Sequence, residues 1–398
     1  MNDAPVLQGR NDLCLCGSGK KYKRCCGALR PVINPSSRLP DAVRDYLEQA
    51  GKRQERFAHI DRRFGRIGLS NAPELLGSGR RVVLLGESPM KGELFDVDSA
   101  SRPLDLMTEK LMDTLGREWL QKELDRPPHD EAHPIASWFR AMAELTMGLP
   151  ADVDGKARSP ISGPAMAWGM LAYDSWVLLH HSLLSKGLLR RLRDPRKFQS
   201  ARYEVTMYAL FLRAGFVIVP EKDKSNRPKH GEFVATHRVT GEQLSVEAKS
   251  RYRDRVLGCP PGKGAGLEYK QVDIVEKLRK ALEQSQRMPF VVCIELNLPP
   301  ATSREVVDQQ TGAAHADAAL LMKEDFDNGR PFLANLVIIT NYTHHYGAPG
   351  EPDPRGHHSA MVIQHPAYPF KRPETERQIL SALGLYWNLP RTWDELDY

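Results

Sequence analysis

The chain has 398 residues, 41% of them hydrophobic and 27% charged, the balance of a folded globular protein rather than a disordered or fibrous one. No apolar run approaches the ~20 residues needed to cross a bilayer, and the opening residues lack the apolar stretch of a secretory signal; a membrane protein is excluded and a cytoplasmic location is expected. Lys and Arg outnumber Asp and Glu by 56 to 50, a net +6 that permits nucleic-acid binding without requiring it.

Four of the 6 cysteines lie in the run Cys14-Leu-Cys16-Gly-Ser-Gly-Lys-Lys-Tyr-Lys-Arg-Cys25-Cys26-Gly27, while Cys259 and Cys293 are isolated. That is a metal-site pattern, not a secreted disulfide framework. Four thiolates suit tetrahedral Zn²⁺ in a closed structural site. Gly17 and Gly19 permit the tight backbone of a knuckle, and Lys20, Lys21, Lys23 and Arg24 offset the charge of a tetrathiolate centre. So short a segment buries little apolar area, so the metal would supply most of its folding energy. Residues 10–28 resemble the SEC-C motif. The resemblance implies structural Zn²⁺ on Cys14, Cys16, Cys25 and Cys26, and docking toward a protein or ribosome partner. Residues 1–30 are read as this module.

Residues 31–40, with Pro31, Pro35 and Pro40, read as a linker. Asp41 can cap a helix running to about residue 64. A short β-type run, Val-Val-Leu-Leu, lies within 81–86. From 104 to 192 apolar residues recur at helical spacing, among them Leu111, Leu115, Trp138, Met142, Met170 and Trp176. Residues 41–197 are therefore expected to be mostly helical. Their histidines (His129, His133, His180 and His181) read as packing or surface residues. The stretch 186–197 carries six cations against Asp194; a solvated face and a phosphate-contacting face are both open readings.

Residues 198–345 change character. An amphipathic helix over 201–214 ends at Gly215, a helix-terminating glycine. Strands are expected at 216–220, 232–238, 243–249, 290–296 and 336–341, with a helix over 268–286, in the order α-β-β-β-α-β-β. Residues 346–398 form a C-terminal extension with one more β-type run, 360–364. The fold class is mixed α/β.

Glu247 and Lys249 are two apart on one strand, so both face the same way. With Thr240-Gly241 as a two-residue hairpin centre, Glu232 falls opposite Lys249 and diagonal to Glu247 on that face. Two carboxylates and an ammonium are costly to bury without a metal. With Mg²⁺ or Mn²⁺ bound, the carboxylates become hard oxygen ligands and the lysine can position a water, a set suited to phosphodiester hydrolysis. Val246-Glu247-Ala248-Lys249, preceded by Gly231-Glu232-Phe233, resembles the PD-(D/E)xK nuclease superfamily over about residues 198–345. The resemblance implies a restriction-endonuclease-like mixed sheet flanked by helices and a nuclease acting mainly on DNA. It implies metal ligation by Glu204, Glu232 and Glu247, with Lys249 catalytic. Glutamate at 232 replaces the usual aspartate, one methylene longer. Gln271 matches a polar helix residue of some members. Arg190, Arg191, Arg193, Lys229, Arg251 and Arg253 are candidate nucleic-acid contacts. The glycine-rich segment 258–266 reads as a flap or a connector. The alternative of a different class is a non-catalytic adaptor with a degenerate nuclease-like domain.

Overall fold

The computed structural model describes residues 11, 21, 74–75, 81–86, 93–97, 102–126, 132–147, 162–221, 231–251, 273–284, 287–298, 303–342 and 356–390. The chain divides into two units, Met1–Glu55 and Arg56–Tyr398, and every strand and helix named below belongs to the second. The four clustered cysteines, the linker and the helix expected over 41–64 lie outside the described residues.

Three short strands, β1 (Glu74–Leu75), β2 (Arg81–Leu85) and β3 (Glu93–Asp96), form an antiparallel sheet. The helical region follows: α1 (Pro103–Leu115), α2 (Arg117–Leu124), α3 (Pro134–Met147), α4 (Gly163–His180) and α5 (Lys186–Leu192). Ser162 and Ser185 cap α4 and α5, their hydroxyls accepting from the amides of Ala165 and Leu188, as N-cap serines do. Helix α4 is buried on every side, Trp168, Tyr173 and Trp176 included.

The second half begins with α6 (Phe198–Arg213), which Gly215 terminates at φ +85°. This helix is not amphipathic as expected: from Tyr203 to Arg213 every side chain is buried, because α4 and α5 cover the side turned away from the sheet. Strands β4 (Phe216–Pro220), β5 (Phe233–His237), β6 (Gln243–Ser250), β7 (Phe290–Glu295), β8 (Leu336–Asn341) and β9 (His357–Val362) lie side by side in that order. The β6–β7 and β7–β8 pairs are parallel and the rest antiparallel. Each parallel step needs a crossover. The first contains α7 (Ile274–Leu282), within the expected 268–286. The second contains α8 (Arg304–Asp327), a 24-residue helix absent from the expected order; its buried stripe is only Ala314, Ala318 and Leu321. The order is thus α-β-β-β-α-β-α-β. Helix α9 (Pro373–Leu385) closes the described fold.

Both sheet faces are covered. Val246, Val291, Cys293, Leu336 and Ile338 face a core shared with α4 and α6, whereas Val292, Ile294, Val337 and Ile339 face α7 and α8. The first core runs without interruption from Val83 to Tyr386, so the helical region and the α/β region are joined rather than set apart at residue 198. The segment read as an extension supplies β9, the sixth strand, and α9, which is anchored to α6. There the buried Arg213 donates to the Tyr386 and Leu385 carbonyls at 2.9 and 3.2 Å. Among the described residues no helix is long and apolar enough to cross a membrane.

Candidate active site

The hairpin that sets the site differs from the expected one. Phe233 pairs with Val246 and Thr236 with Gln243, a register that continues to Glu232 opposite Glu247 rather than Lys249. The loop is four residues, 238–241, instead of two. His237 causes this: its Nδ1 accepts from the Thr240 amide at 3.0 Å and its carbonyl from the Gly241 amide at 2.9 Å, with Gly241 at φ +69°. The shift is by two residues, so Glu232 keeps the parity of Glu247.

Gly231 holds Glu232 where it is. A Cβ at Gly231 would lie 2.6 Å from Ser245 Oγ and 2.7 Å from the Val246 carbonyl oxygen; only glycine lets the chain press so closely against β6. The Glu232 amide donates to the Glu247 carboxylate, and the Glu232 carbonyl accepts from Glu221 at 3.1 Å. Glu232 therefore sits at the end of the β5–β6 pairing, next to Phe233 and opposite Glu247.

Helix α6 brings Glu204 to Glu232. The Glu204 and Glu232 carboxyl groups share a hydrogen bond. Burial, then the nearby charges of Glu204 and Glu247, push Glu232 up to about 8. Tyr208, one turn after Glu204, donates its hydroxyl to the Glu204 carboxylate and packs its ring edge-on to Phe233 at 5.0 Å. Glu247, 1% exposed, is raised chiefly by burial, opposed by its ion pair with Lys249. Arg191 on α5 binds Glu204, Nη1 to Oε2, at 2.6 Å. Six side chains from three elements and the approach to β5 thus meet: Arg191, Glu204, Tyr208, Glu232, Glu247 and Lys249.

Glu295, on β7, is a further buried carboxyl raised to about 7 by desolvation. It accepts from Thr340 Oγ1 at 2.5 Å and from the Tyr342 and Asn297 amides at 2.9 and 3.3 Å, so it braces β7 against β8. Among the described residues no three or more His, Cys, Asp or Glu side chains are gathered as a metal centre; Arg191 and Lys249 hold two of the three carboxylates of the cluster.

The basic candidates divide. Arg190 is exposed on α5. Arg193 donates to the Thr114 carbonyl at 2.9 Å and lies over Trp119, which ties it to the helical region. Arg251 follows β6 directly, its amide bonded to the Glu295 carbonyl at 3.2 Å. Lys229, Arg253, Gln271 and the segment 258–266 lie outside the described residues. Sequence reasoning overlooked Gly231 and Tyr208. The helical i, i+4 spacing of Glu204 and Tyr208 was a usable signal; nothing in the sequence marks Gly231 apart from its neighbour Glu232.

Comparison with known proteins assigns one segment. Residues 10–28 match the SEC-C motif. A UPF0225 protein of Vibrio cholerae is 75% identical over 24 residues, 6% of this chain and 16% of that protein. Protein translocase subunit SecA of Desulforapulum autotrophicum is 90% identical over 20 residues, 5% of this chain and 2% of SecA. SecA of Alkaliphilus oremlandii is 71% identical over 28 residues, 6% of this chain and 3% of SecA. The chain thus spans a sixth or less of the length of these relatives. No solved structure matches.

Proposed function

We propose that residues 198–345, with the helical region that supports them, form a divalent-metal-dependent nuclease, and that the SEC-C segment is a zinc-binding docking module. The observation that carries the reading is the meeting of Glu204, Glu232 and Glu247 beside Lys249, at the end of the β5–β6 pairing. Three carboxylates are the donor set of a hard cation such as Mg²⁺ or Mn²⁺, and Glu232 carries a proton in a place where a cation would serve the same electrostatic need.

Glu204, Glu232 and Glu247 would hold the metal only once Arg191 and Lys249 release Glu204 and Glu247, because among the described residues the three are not gathered as a metal centre. When bound, it stabilises charge on the attacking and leaving oxygens of a phosphodiester. Lys249 then positions the attacking water through its ammonium and offsets negative charge at the phosphorus. Arg191, at the rim, binds a non-bridging phosphate oxygen once it leaves Glu204. Tyr208 keeps Glu204 oriented by its hydroxyl. DNA is the favoured substrate, and Zn²⁺ sits on Cys14, Cys16, Cys25 and Cys26.

The test is incubation of the full chain with Mg²⁺ or Mn²⁺ on single- and double-stranded DNA and RNA, beside Lys249→Ala. Metal-dependent cleavage of DNA that the variant loses supports the reading. A folded wild type that cuts nothing overturns it in favour of a non-catalytic adaptor that binds a protein, ribosome or nucleic acid. Two observations favour that second reading: the ion pairs Arg191–Glu204 and Lys249–Glu247 neutralise the cluster from within, and the matched segment is shared with SecA.

A further inference from the structure

Arg191 and Glu204 are paired across two helices and are unequally exposed. The guanidinium on α5 meets the carboxylate on α6 at 2.6 Å, with the Arg191 side chain 35% exposed and that of Glu204 8%. The backbone of α5 is fixed around this arginine. Leu188 and Leu192 are buried, Ser185 caps the helix, and Arg193 donates to the Thr114 carbonyl. The Arg191 side chain is therefore the part that can move.

Opening the pair affects its two partners differently. Arg191 can turn its guanidinium into water at little cost, whereas Glu204 would remain as a buried charge without a cation. Glu204 thus gives up Arg191 only to another cation. Lys249 differs, because it lies two residues from Glu247 on one strand. It faces the same way and stays beside that carboxylate even after releasing it. Arg191 reaches in from a different helix, and its release carries a positive charge out to the surface.

We propose that Arg191 is a switch that couples metal binding to DNA binding. In the closed form it holds Glu204 and so competes with the metal for that ligand. In the open form Glu204 is yielded to a divalent cation, and Arg191 binds a phosphate of the DNA strand. Both ligands draw on the same open form, so each tightens the binding of the other by the same factor. Metal alone is held weakly, since an internal cation must first be displaced. The site stays closed until a strand arrives. This deepens the nuclease reading and rests on it for the identity of the two ligands.

The first measurement is Mn²⁺ binding by the zinc-loaded full chain without DNA, read from the electron paramagnetic resonance signal of unbound Mn²⁺. Wild type is compared with Arg191→Gln, Arg191→Lys and Lys186→Gln, the last an exposed cation of the same helix, with thermal melts to verify folding. Arg191→Gln should tighten Mn²⁺ binding about ten-fold, because the competitor is gone. Arg191→Lys, which lacks the planar fork, should shift it in the same direction by less. Lys186→Gln should match wild type. A folded Arg191→Gln protein that binds Mn²⁺ no better than wild type overturns the switch. If that variant does not fold, an unchanged Arg191→Lys overturns it instead.

The coupling is read by fluorescence polarisation of a labelled DNA duplex at constant ionic strength, with and without Ca²⁺, which takes oxygen ligands as Mg²⁺ does. Ca²⁺ should tighten wild-type binding about five-fold or more, and Arg191→Gln about two-fold at most. A wild type indifferent to Ca²⁺, or equal tightening in Arg191→Gln, overturns the switch. Cleavage in Mg²⁺ is measured separately. A wild type that shows both effects but never cuts overturns the nuclease reading alone. One that cuts while Arg191→Gln alters neither binding overturns the switch alone.

Discussion

The carboxyl of Glu232 is hydrogen-bonded to that of Glu204, although one precedes a strand and the other lies within a helix. Their contact makes the site sensitive to pH. Glu232 is raised from its ordinary 4.5 to about 8 by burial and by its acidic neighbours. Its neutral form is therefore the one the fold accommodates. The stability this contributes is complete below about pH 4.5 and is lost as pH rises toward 8. Glu232→Gln should abolish that dependence. The unfolding free energy of the variant minus that of wild type is expected to grow from pH 5 to pH 8.5, by up to about 4 kcal/mol across the window. A constant difference would show that Glu232 is ionised throughout.

Lys249→Ala removes the partner of a carboxylate that is 1% exposed. Leaving Glu247 charged and buried should cost about 2–4 kcal/mol in urea unfolding. The double variant Glu247→Gln, Lys249→Ala should regain most of that loss, because no uncompensated charge remains. Both variants are expected to lower DNA cleavage about 100-fold or more. Cleavage that survives in the double variant would remove this pair from catalysis.

Gly231→Ala tests the close approach of the chain to β6. The added methyl meets a hydroxyl at 2.6 Å and a backbone oxygen at 2.7 Å, so the backbone must move. A loss of about 1–3 kcal/mol is expected, together with loss of cleavage as Glu232 shifts. Adding Ser245→Ala relieves the hydroxyl contact only; the backbone contact persists, so this second change should restore little. Full recovery by Ser245→Ala would place the obstruction in the side chain alone.

Arg213→Met should loosen α9. The guanidinium is 1% exposed, donates to two carbonyls at the end of α9 and lies over Tyr173 and Tyr386 at 4.8 and 5.3 Å. Two buried acceptors lose their donor, a cost of about 3 kcal/mol. Faster proteolysis near residue 390 than in wild type would report the release.

For the SEC-C segment, elemental analysis should find about one zinc per chain, lost on Cys14→Ser combined with Cys16→Ser. Cleavage of naked DNA by that variant should remain within about two-fold of wild type if the module serves docking alone.

Much of the architecture was legible where the side-chain pattern is strong. The strands at 216–220 and 336–341 fall as expected, because β-branched runs bounded by a glycine or a loop leave little choice. Helix α8 escaped notice because alanines form most of its buried stripe, so its periodicity hardly rises above its polar surroundings. The hairpin loop was misjudged because the imidazole of His237, a tertiary and not a compositional feature, draws in the Thr240 amide. Glu232, Glu247 and Lys249 could be named from strand parity, which survives a register shift of two. The role of Arg191 as the partner of Glu204 could not, since it depends on how α5 lies against α6.

The position of β9 has a consequence for synthesis. Strand β8 is paired on one side by β7 and on the other by residues 357–362, and α9 reaches α6 only when residues near 386 exist. All the carboxylates of the cluster are translated well before that. Until residues 357–362 emerge from the ribosome, β8 presents an unpaired six-residue edge, apolar from Leu336 to Ile339, of the kind that recruits other chains. The nascent protein would therefore carry the carboxylate cluster on an unfinished sheet, open to chaperones and to aggregation, and a product ending near residue 345 would keep Glu204, Glu232, Glu247 and Lys249 while lacking the strand that pairs the edge of β8.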